Sequence, residues 1–547
     1  MEEEIREPQI KRFFKEENLC MQNVYKSKEE YKVVYINQEL YEEIFHEKYV
    51  WEDAKQKIST IFSITLDEKK SDNKIIGKAY SDKQADPTGM ALSGNLGSGR
   101  SYFFDKKFNI KGDKTKLATS PKSIYNNGKY ALSASIKETI IANILAKDFV
   151  VPTFETLAIL ETGERFDFLD EYLDFNDQIK TETYNLPCSI EIRVNKEKKL
   201  YRISNSLINN DKYTEEEIEN FCKKLAKIEA NKFCDRFLHG SWSVGNISTE
   251  GNLIDFDTSS FVKGRFPQYS NTNKYKSNYF GYELLGQKIM INSISNNEKL
   301  EKIMNDEYER NIKIKFCDLI GLDYNLYYLK YYKYINSLSQ KFNILSRKFL
   351  ANYYDTNIAN QNEDITYLFD FSRFFQKYLI YREKGNKFIN GIKLLFNDPQ
   401  YIEYEKVGMI KEKVDEFFEE DIVNDDNMDK YVNEAMDFIQ EYDELFEEIE
   451  KEQDLQEIKL KQYFINADRN YLYSKKHIFG KIAYKYDIKE IDDKTMNIII
   501  NSLIKANIRN HYNIECKNIL GLRLYKDFLT YWIITKNYYY LVIEPFS

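Results

Sequence analysis

Apolar and polar residues alternate along several short runs in the first third of the chain. SYFF (101–104), KFNIKG (107–112), VVPTFETLAIL (150–160) and PCSIEIRVN (187–195) carry the two-residue period of strands. One segment among them has a different period. ALSASIKETIIANILAKDF (131–149) spaces its apolar residues for a helix and predicts an amphipathic one. From about residue 214 the pattern turns mostly helical. TEEEIENFCKKLAKIEANKFCDRF (214–237) opens with Thr214 followed three residues later by Glu217, the signature of a helix N-terminus whose side chains cap each other. Residues 404–465 are acidic and periodic, with Phe and Ile at core spacing, and predict a solvated helical region. DFLTYWIITKNYYYLVIEP (527–545) reads as a hairpin turning at Thr535–Asn537. The tyrosine-rich run YNLYYLKYYKY (324–334) reads as core and lobe packing. No internal repeat and no Pro- or Ser-rich linker divides the chain.

Composition narrows the picture. The 547 residues suffice for more than one domain, and abundant Ile, Leu, Phe and Tyr can supply a core. A net charge of −9 leaves no global basic footprint, so no nucleic-acid partner is expected. No window approaches the roughly 18 apolar residues of a membrane span, and MEEEIREPQIKRFFKEEN lacks the apolar core of a signal peptide, so no membrane partner is expected. Six cysteines scattered without pairs read as reduced thiols and a cytoplasmic location. Four histidines, none in a zinc-binding spacing, argue against zinc.

The candidate chemistry lies in three places. ALSGNLGSGR (91–100) crowds Gly94, Gly97 and Gly99 before Arg100, where backbone N–H groups could approach a phosphate with no Cβ in the way. A turn explains this stretch equally well. Lys111 ends the next strand, where its charge must be paired or meet an anion, and Glu138 lies on the helix that follows. A strand lysine paired with a helix glutamate is how kinase-like folds hold nucleotide phosphates. In FLHGSWSVGNISTEGNLIDFD (237–257), His239 precedes Asn246 by seven residues, and Asp255 follows nine later. An amide and a carboxylate flanking a short hairpin suit Mg²⁺, which takes oxygen ligands and keeps phosphates and waters.

Taken in order, these segments resemble the selenoprotein O family, kinase-fold enzymes that transfer AMP onto protein hydroxyls. Ala79-Tyr80-Ser81 with Gln84 is similar to the family's V-Y-S-x-x-Q, LGSGR (96–100) to L-G-D-G-R, and NIKG (109–112) to its L-K-G strand. NNGKYALSASIKE (126–138) resembles G-D-G-R-A-V-L-R-S-x-I-R-E, and VPTFETLAIL (151–160) resembles I-P-T-T-R-A-L-S. EIRV (191–194) and YRI (201–203) look like its two arginine-bearing strands, and HGSWSVGN…IDFD like H-G-V-M-N-T-D-N…L-D-Y-G. The likeness spans about 79–257.

The resemblance implies an α+β, protein-kinase-like fold of two lobes. Its parts would be an N-terminal extension (1–75), a strand-rich lobe (76–190), a helical lobe (191–400) and a mostly helical C-terminal extension (401–547) ending in a hairpin. It implies ATP and Mg²⁺ or Mn²⁺ as cofactors and a protein or peptide as substrate. Lys111 and Glu138 would form the phosphate-positioning pair, and Asn246 and Asp255 would ligate the metal. Gly97, Ser98, Gly99 and Arg100 would line the nucleotide. Arg100, Arg193 and Arg202 would hold the far phosphates of a nucleotide bound in reverse, so that AMP is transferred and pyrophosphate leaves. The Arg193–Arg202 gap is two residues longer than the family's, which makes Lys199 a rival for the last role.

Several positions depart from the pattern. Ser241 and Gly245 stand where a kinase and this family, respectively, place a base aspartate. Asp257 replaces a glycine and offers a carboxylate near the nucleophile; Lys129 and Ser133 replace arginines, and Cys516 lies too far from the C-terminus for the family's terminal cysteine. A carboxylate acceptor is already ionised at neutral pH and needs no base, so an acyl-adenylate-forming activity is an alternative reading. An ordinary kinase and a nucleotide-binding pseudoenzyme are the others.

Overall fold

The computed structural model describes residues 19–82, 99–104, 107–115, 127–148, 153–173, 179–196, 214–239, 246–248, 251–256, 259–261, 268–270, 298–320, 322–347, 349–352, 364–372, 375, 428–451, 476–506, 518–524, 528–534 and 539–545. It is an α+β protein built on one antiparallel sheet of eight strands. These are β1 (Leu19–Ser27), β2 (Lys32–Ile36), β3 (Ile64–Thr65), β4 (Ser71–Asp82), β5 (Ser101–Phe104), β6 (Phe108–Lys111), β7 (Thr156–Leu173) and β8 (Ile179–Val194). Their spatial order is β2-β7-β8-β6-β5-β4-β1-β3. Residues 19–75, expected as an extension, thus supply three strands of the same sheet, and EIRV (191–194) completes β8 rather than opening a second lobe.

Strand alternation divides the sheet into two faces. Phe108, Ile110, Ile190, Ile192 and Val194 point into one core, with Phe62 and Ile58 of the helix α2 (Trp51–Phe62). That helix follows the shorter α1 (Gln38–Phe45). The other face carries the polar members of the same strands, Asn109, Lys111, Glu191 and Arg193, and meets α3 (Leu132–Asp148).

Helix α3 lies where the periodicity puts it but is not amphipathic. Ile136, Ile140, Ile141, Ala142, Ile144 and Leu145 are buried, and so are Ser135, Lys137, Glu138, Thr139 and Asn143. A helix buried nearly all round must be covered nearly all round. The cover comes from the far end of the chain. Helices α9 (Lys476–Asp487) and α10 (Asp493–Ala506) pack on α3, and α10 also packs on β2.

Between these lie α4 (Glu215–Asp235), α5 (Glu298–Ile320), α6 (Tyr324–Tyr327), α7 (Tyr332–Arg347) and α8 (Met428–Glu450). The reciprocal cap on α4 forms as expected: Glu217 N–H donates to Thr214 Oγ1 at 3.2 Å and Thr214 N–H to Glu217 Oε2 at 2.9 Å. Of the acidic periodic region 404–465, residues 428–451 are described, and there α8 buries Tyr431, Ala435, Phe438, Tyr442 and Leu445 on one side; 404–427 and 452–465 lie outside the described residues. In the tyrosine-rich run Tyr331 is buried, but Leu326, Leu329 and Tyr332 are exposed. The remaining strands are β9 (Phe237–Leu238) with β10 (Ser260–Phe261), β11 (Gln268–Ser270) with β12 (Phe349–Asn352) and β13 (Asp364–Asp370), and β14 (Asn518–Leu524) with β15 (Phe528–Ile534) and β16 (Tyr539–Pro545). The expected terminal hairpin is β15–β16, with Ile534 opposite Tyr539; β14 adds a third strand that the pattern did not reveal.

Strand β2 is an edge, and an edge strand leaves backbone groups open. Helix α10 closes it with asparagines. Ile36 N–H donates to Asn497 Oδ1 at 2.9 Å, and Asn501 Nδ2 donates to Ile36 O at 3.4 Å. Asp493, at the start of α10, bridges Lys32 at 2.8 Å and Lys55 at 2.6 Å. Arg165 forks onto Asp487 at 2.5 and 2.8 Å. Asn497→Ala would leave the buried Ile36 N–H unpaired. It should destabilise the protein by about 1–3 kcal/mol. Ile498→Ala on the exposed side of α10 should cost little, within about 0.5 kcal/mol. Equal denaturation midpoints for the two variants would show that this docking is not what holds α10 to the sheet.

Candidate functional site

The polar face of the sheet holds a buried charge cluster beneath α3. Register sets it up: β6 and β8 pair Asn109 with Arg193 and Lys111 with Glu191, so four polar side chains share one patch. Glu138 descends onto it from α3. Lys111 Nζ lies 2.5 Å from Glu138 Oε2, and Arg193 Nη1 lies 2.6 Å from Glu138 Oε1. Arg193 also donates to Asn109 Oδ1. Lys111, Glu138 and Arg193 are 4%, 1% and 2% exposed. Burial alone would raise the Glu138 carboxyl; Lys111, then Arg193, outweigh it and hold that carboxyl below its ordinary range. Burial likewise opposes the charge on Arg193, and the carboxylates around it, Glu138 first, more than restore it.

Tyr130 completes the cluster from the segment that leads into α3. Its hydroxyl donates to Glu138 Oε2 at 2.6 Å. Its ring lies 4.3 Å from Lys111 Nζ and 4.8 Å from the Arg100 guanidinium carbon, within cation–π range of both. The end of the glycine stretch, Gly99 and Arg100, closes a hairpin. Gly112 N–H donates to Arg100 O at 2.8 Å and Thr115 N–H to Gly99 O at 3.0 Å, so these two carbonyls extend the β5–β6 pairing. Gly97 and Ser98 lie outside the described residues, as do Arg202, its rival Lys199 and Asp257.

Asp255 reaches the cluster from the other side, its Oδ1 at 2.5 Å from Lys111 Nζ. It follows a tight hairpin in which Ile247 and Leu253 bridge antiparallel and Ile254 N–H donates to Asn246 O at 2.9 Å. A bridge between Thr153 and Leu253 ties this hairpin to the segment entering β7. His239 Nε2 lies 3.0 Å from Ile254 O, directly before Asp255. Asp255 has φ of 73°, a left-handed conformation that costs most residues but that Asp adopts more readily. Such strain persists where its surroundings impose it, and it concentrates at functional sites.

The donor set at this hairpin is Asn246 and Asp255. Among the described residues no group of three or more His, Cys, Asp or Glu could hold a metal unaided. An amide and a carboxylate are hard oxygen donors that fit Mg²⁺ only with oxygens from a ligand and water. Asp255 would have to share its carboxylate between Lys111 and such an ion. A separate cavity of about 490 Å³ opens beside the end of β6, with Gln22, Tyr31, Lys70, Asp113, Glu164 and Cys188 in its lining. No residue expected at the nucleotide site lines it. The thiols of Cys188, Cys222, Cys234 and Cys317 are free and buried. Among the described residues no helix is long and apolar enough to cross a membrane.

The sequence reading missed Tyr130, Asn109 and Glu191. A signal existed for two of them, since Asn109 and Glu191 share a strand face with Lys111 and Arg193 by simple alternation. It also cast Arg193 as a phosphate ligand, whereas here both ends of its fork are engaged by Glu138 and Asn109. No protein-family model matches the chain. No curated protein matches it either.

Removing one partner from a buried ion pair leaves a charge uncompensated, at about 3–5 kcal/mol. Arg193→Leu should cost that much, because Asn109 and one Glu138 oxygen lose their donor. Lys111→Met should cost less, since Arg193 and Tyr130 still hold Glu138 and only Asp255 is released toward solvent. Chemical denaturation of the two variants checks the order; a more stable Arg193→Leu would mean that Arg193 is not a structural partner of Glu138.

Proposed function

We infer that the protein is an ATP-dependent nucleotidyltransferase with a kinase-like, two-lobed arrangement, passing AMP to a protein or peptide and releasing pyrophosphate. The observation that carries this reading is the three-way contact of a strand lysine, Lys111, with a helix glutamate, Glu138, and with Asp255 beyond the Asn246 hairpin. Those are the lysine, the helix carboxylate and the metal carboxylate of a kinase-type site, on strand, helix and hairpin in that order along the chain.

In this reading Glu138 fixes Lys111 so that its ammonium faces the triphosphate, and positioning of this kind is most of what such a site contributes. Asn246 and Asp255 would hold Mg²⁺, which when bound neutralises phosphate charge. An acceptor oxygen bonds to the α-phosphorus, the bond from that phosphorus to the bridging oxygen breaks, and pyrophosphate departs. A hydroxyl acceptor gives up its proton to water or to the Asp257 carboxylate; a carboxylate acceptor has none to give. One observation favours a second reading, phosphotransfer from the γ-position. Arg193 is committed to Glu138 and Asn109, which removes one of the arginines that a reversed triphosphate would need.

Two incubations with Mg-ATP separate these readings, one labelled at the α-phosphate and one at the γ-phosphate. Asp255→Asn is the control, because Asn also tolerates the left-handed conformation. Label from the α-position on protein, reduced about 100-fold or more in the variant, is the expected result. Label from the γ-position alone would make the enzyme a kinase. Pyrophosphate release that requires an added carboxylate peptide would make it a carboxylate-activating enzyme. Absence of turnover and of Mg-ATP binding would remove the nucleotide reading altogether.

A further inference from the structure

Glu191 belongs to the buried cluster but has no part in the chemistry above. It is 0% exposed. Its Oε1 accepts from Thr156 Oγ1 on β7 at 2.6 Å and lies 3.3 Å from Thr139 Oγ1 on α3. Through these two hydroxyls it ties α3 to the sheet one residue beyond Glu138. Its Oε2 is buried without a hydrogen-bond partner. The charged groups around it are Lys111 on β6, Arg193 on its own strand and Glu138 on α3. Asp255 lies beyond Lys111.

Charge counting sharpens the question. Lys111 and Arg193 supply two positive charges, and Glu138 and Asp255 two negative ones. An ionised Glu191 would make a third carboxylate in a buried space where the two cations are already satisfied. A carboxylate so enclosed, with one oxygen receiving no donor, is poorly compensated. We propose that Glu191 is a positioning residue that works as a neutral carboxylic acid, so that Lys111, held by Glu138, stays available to an anionic ligand. This rests on the nucleotide reading above for the identity of that ligand.

Burial, then repulsion from Glu138, pushes the Glu191 carboxyl from 4.5 up to about 8, against the pull of Arg193 and Lys111. The folded protein then keeps a proton that the unfolded chain has lost. Its contribution to stability is complete below about pH 4.5 and is lost as pH rises through about 8. Anion binding follows the same direction. The binding-competent fraction is the protonated one, so affinity falls as Glu191 ionises.

The experiment measures Mg-ATP affinity at pH 7, 8 and 9 for the full chain and for Glu191→Gln, with thermal unfolding of both across the same range. Gln keeps an acceptor for Thr156 and Thr139 and does not titrate. The wild-type affinity should weaken about tenfold between pH 7 and 9, while that of Glu191→Gln stays level. The wild type should also lose stability relative to the variant as pH rises. Calorimetry on the wild type in buffers of different ionisation enthalpy gives a measurement that needs no variant. Binding at pH 8 should take up about half a proton. Parallel pH profiles in the two proteins, or no proton uptake, would overturn the proposal and leave the nucleotide reading in place. Failure of the wild type to bind Mg-ATP at every pH would overturn that reading and this proposal together. In that case the stability profiles alone would still report whether Glu191 is neutral.

Discussion

A carboxylate on the inside of a buried helix sets the terms for this half of the molecule. Glu138 has almost no access to water, and an isolated charge there would neutralise itself or unfold its surroundings. Lys111 and Arg193 prevent that, one on each oxygen. Both come from strands in the middle of the sheet, and the β6–β8 register brings them side by side. A slip of one residue in either strand would turn its cation into the apolar core of Phe62 and Ile110. The ion pairs and the strand register therefore enforce each other.

The same constraint explains why α3 must be enclosed. A helix that carries Glu138, Thr139 and Asn143 as well as seven buried apolar side chains cannot leave one face in water without exposing isoleucine or losing its polar contacts. The sheet covers one side. Helices α9 and α10 cover another, and Asn497 does for the β2 edge what a neighbouring strand's backbone would do. The C-terminal third is thus part of the support of the cluster, since the element it presses on is the element that positions Glu138.

Local features were legible where local physics decides them. The strand runs at 101–104, 107–112 and 187–195, the α3 segment and the Thr214 cap follow from period and side-chain chemistry over a few residues, and each formed where the pattern put it, whereas in the run 150–160 the strand begins only at Thr156. The pairing of Lys111 with Glu138 was legible as well, because a charged residue at the end of a buried strand demands a partner. What the pattern could not carry were contacts across distance. The bond from Ile36 to Asn497 spans 461 positions, and nothing in either segment names the other. The amphipathic expectation for α3 failed for the same reason: its burial nearly all round has meaning only once α9 and α10 are present. Arg193 was expected to hold phosphate because of the resemblance; its contact with Glu138, 55 positions away on α3, is of the same distant kind.

Lys111 is shared between a carboxylate that is fixed and one that is strained. Glu138 sits on an enclosed helix with three donors; Asp255 sits after a tight hairpin in a left-handed conformation and is the more exposed of the two. If one contact yields to an incoming anion, the energetics favour release of Asp255, because freeing Glu138 would strand a charge in the core and freeing Asp255 would not. The cluster is accordingly asymmetric. Arg193, Tyr130 and Glu138 form its rigid base, and the Lys111–Asp255 contact is the part able to open. On the nucleotide reading proposed above, that asymmetry suits a lysine that meets phosphate and an aspartate that meets a cation, and it arises from burial and backbone geometry alone.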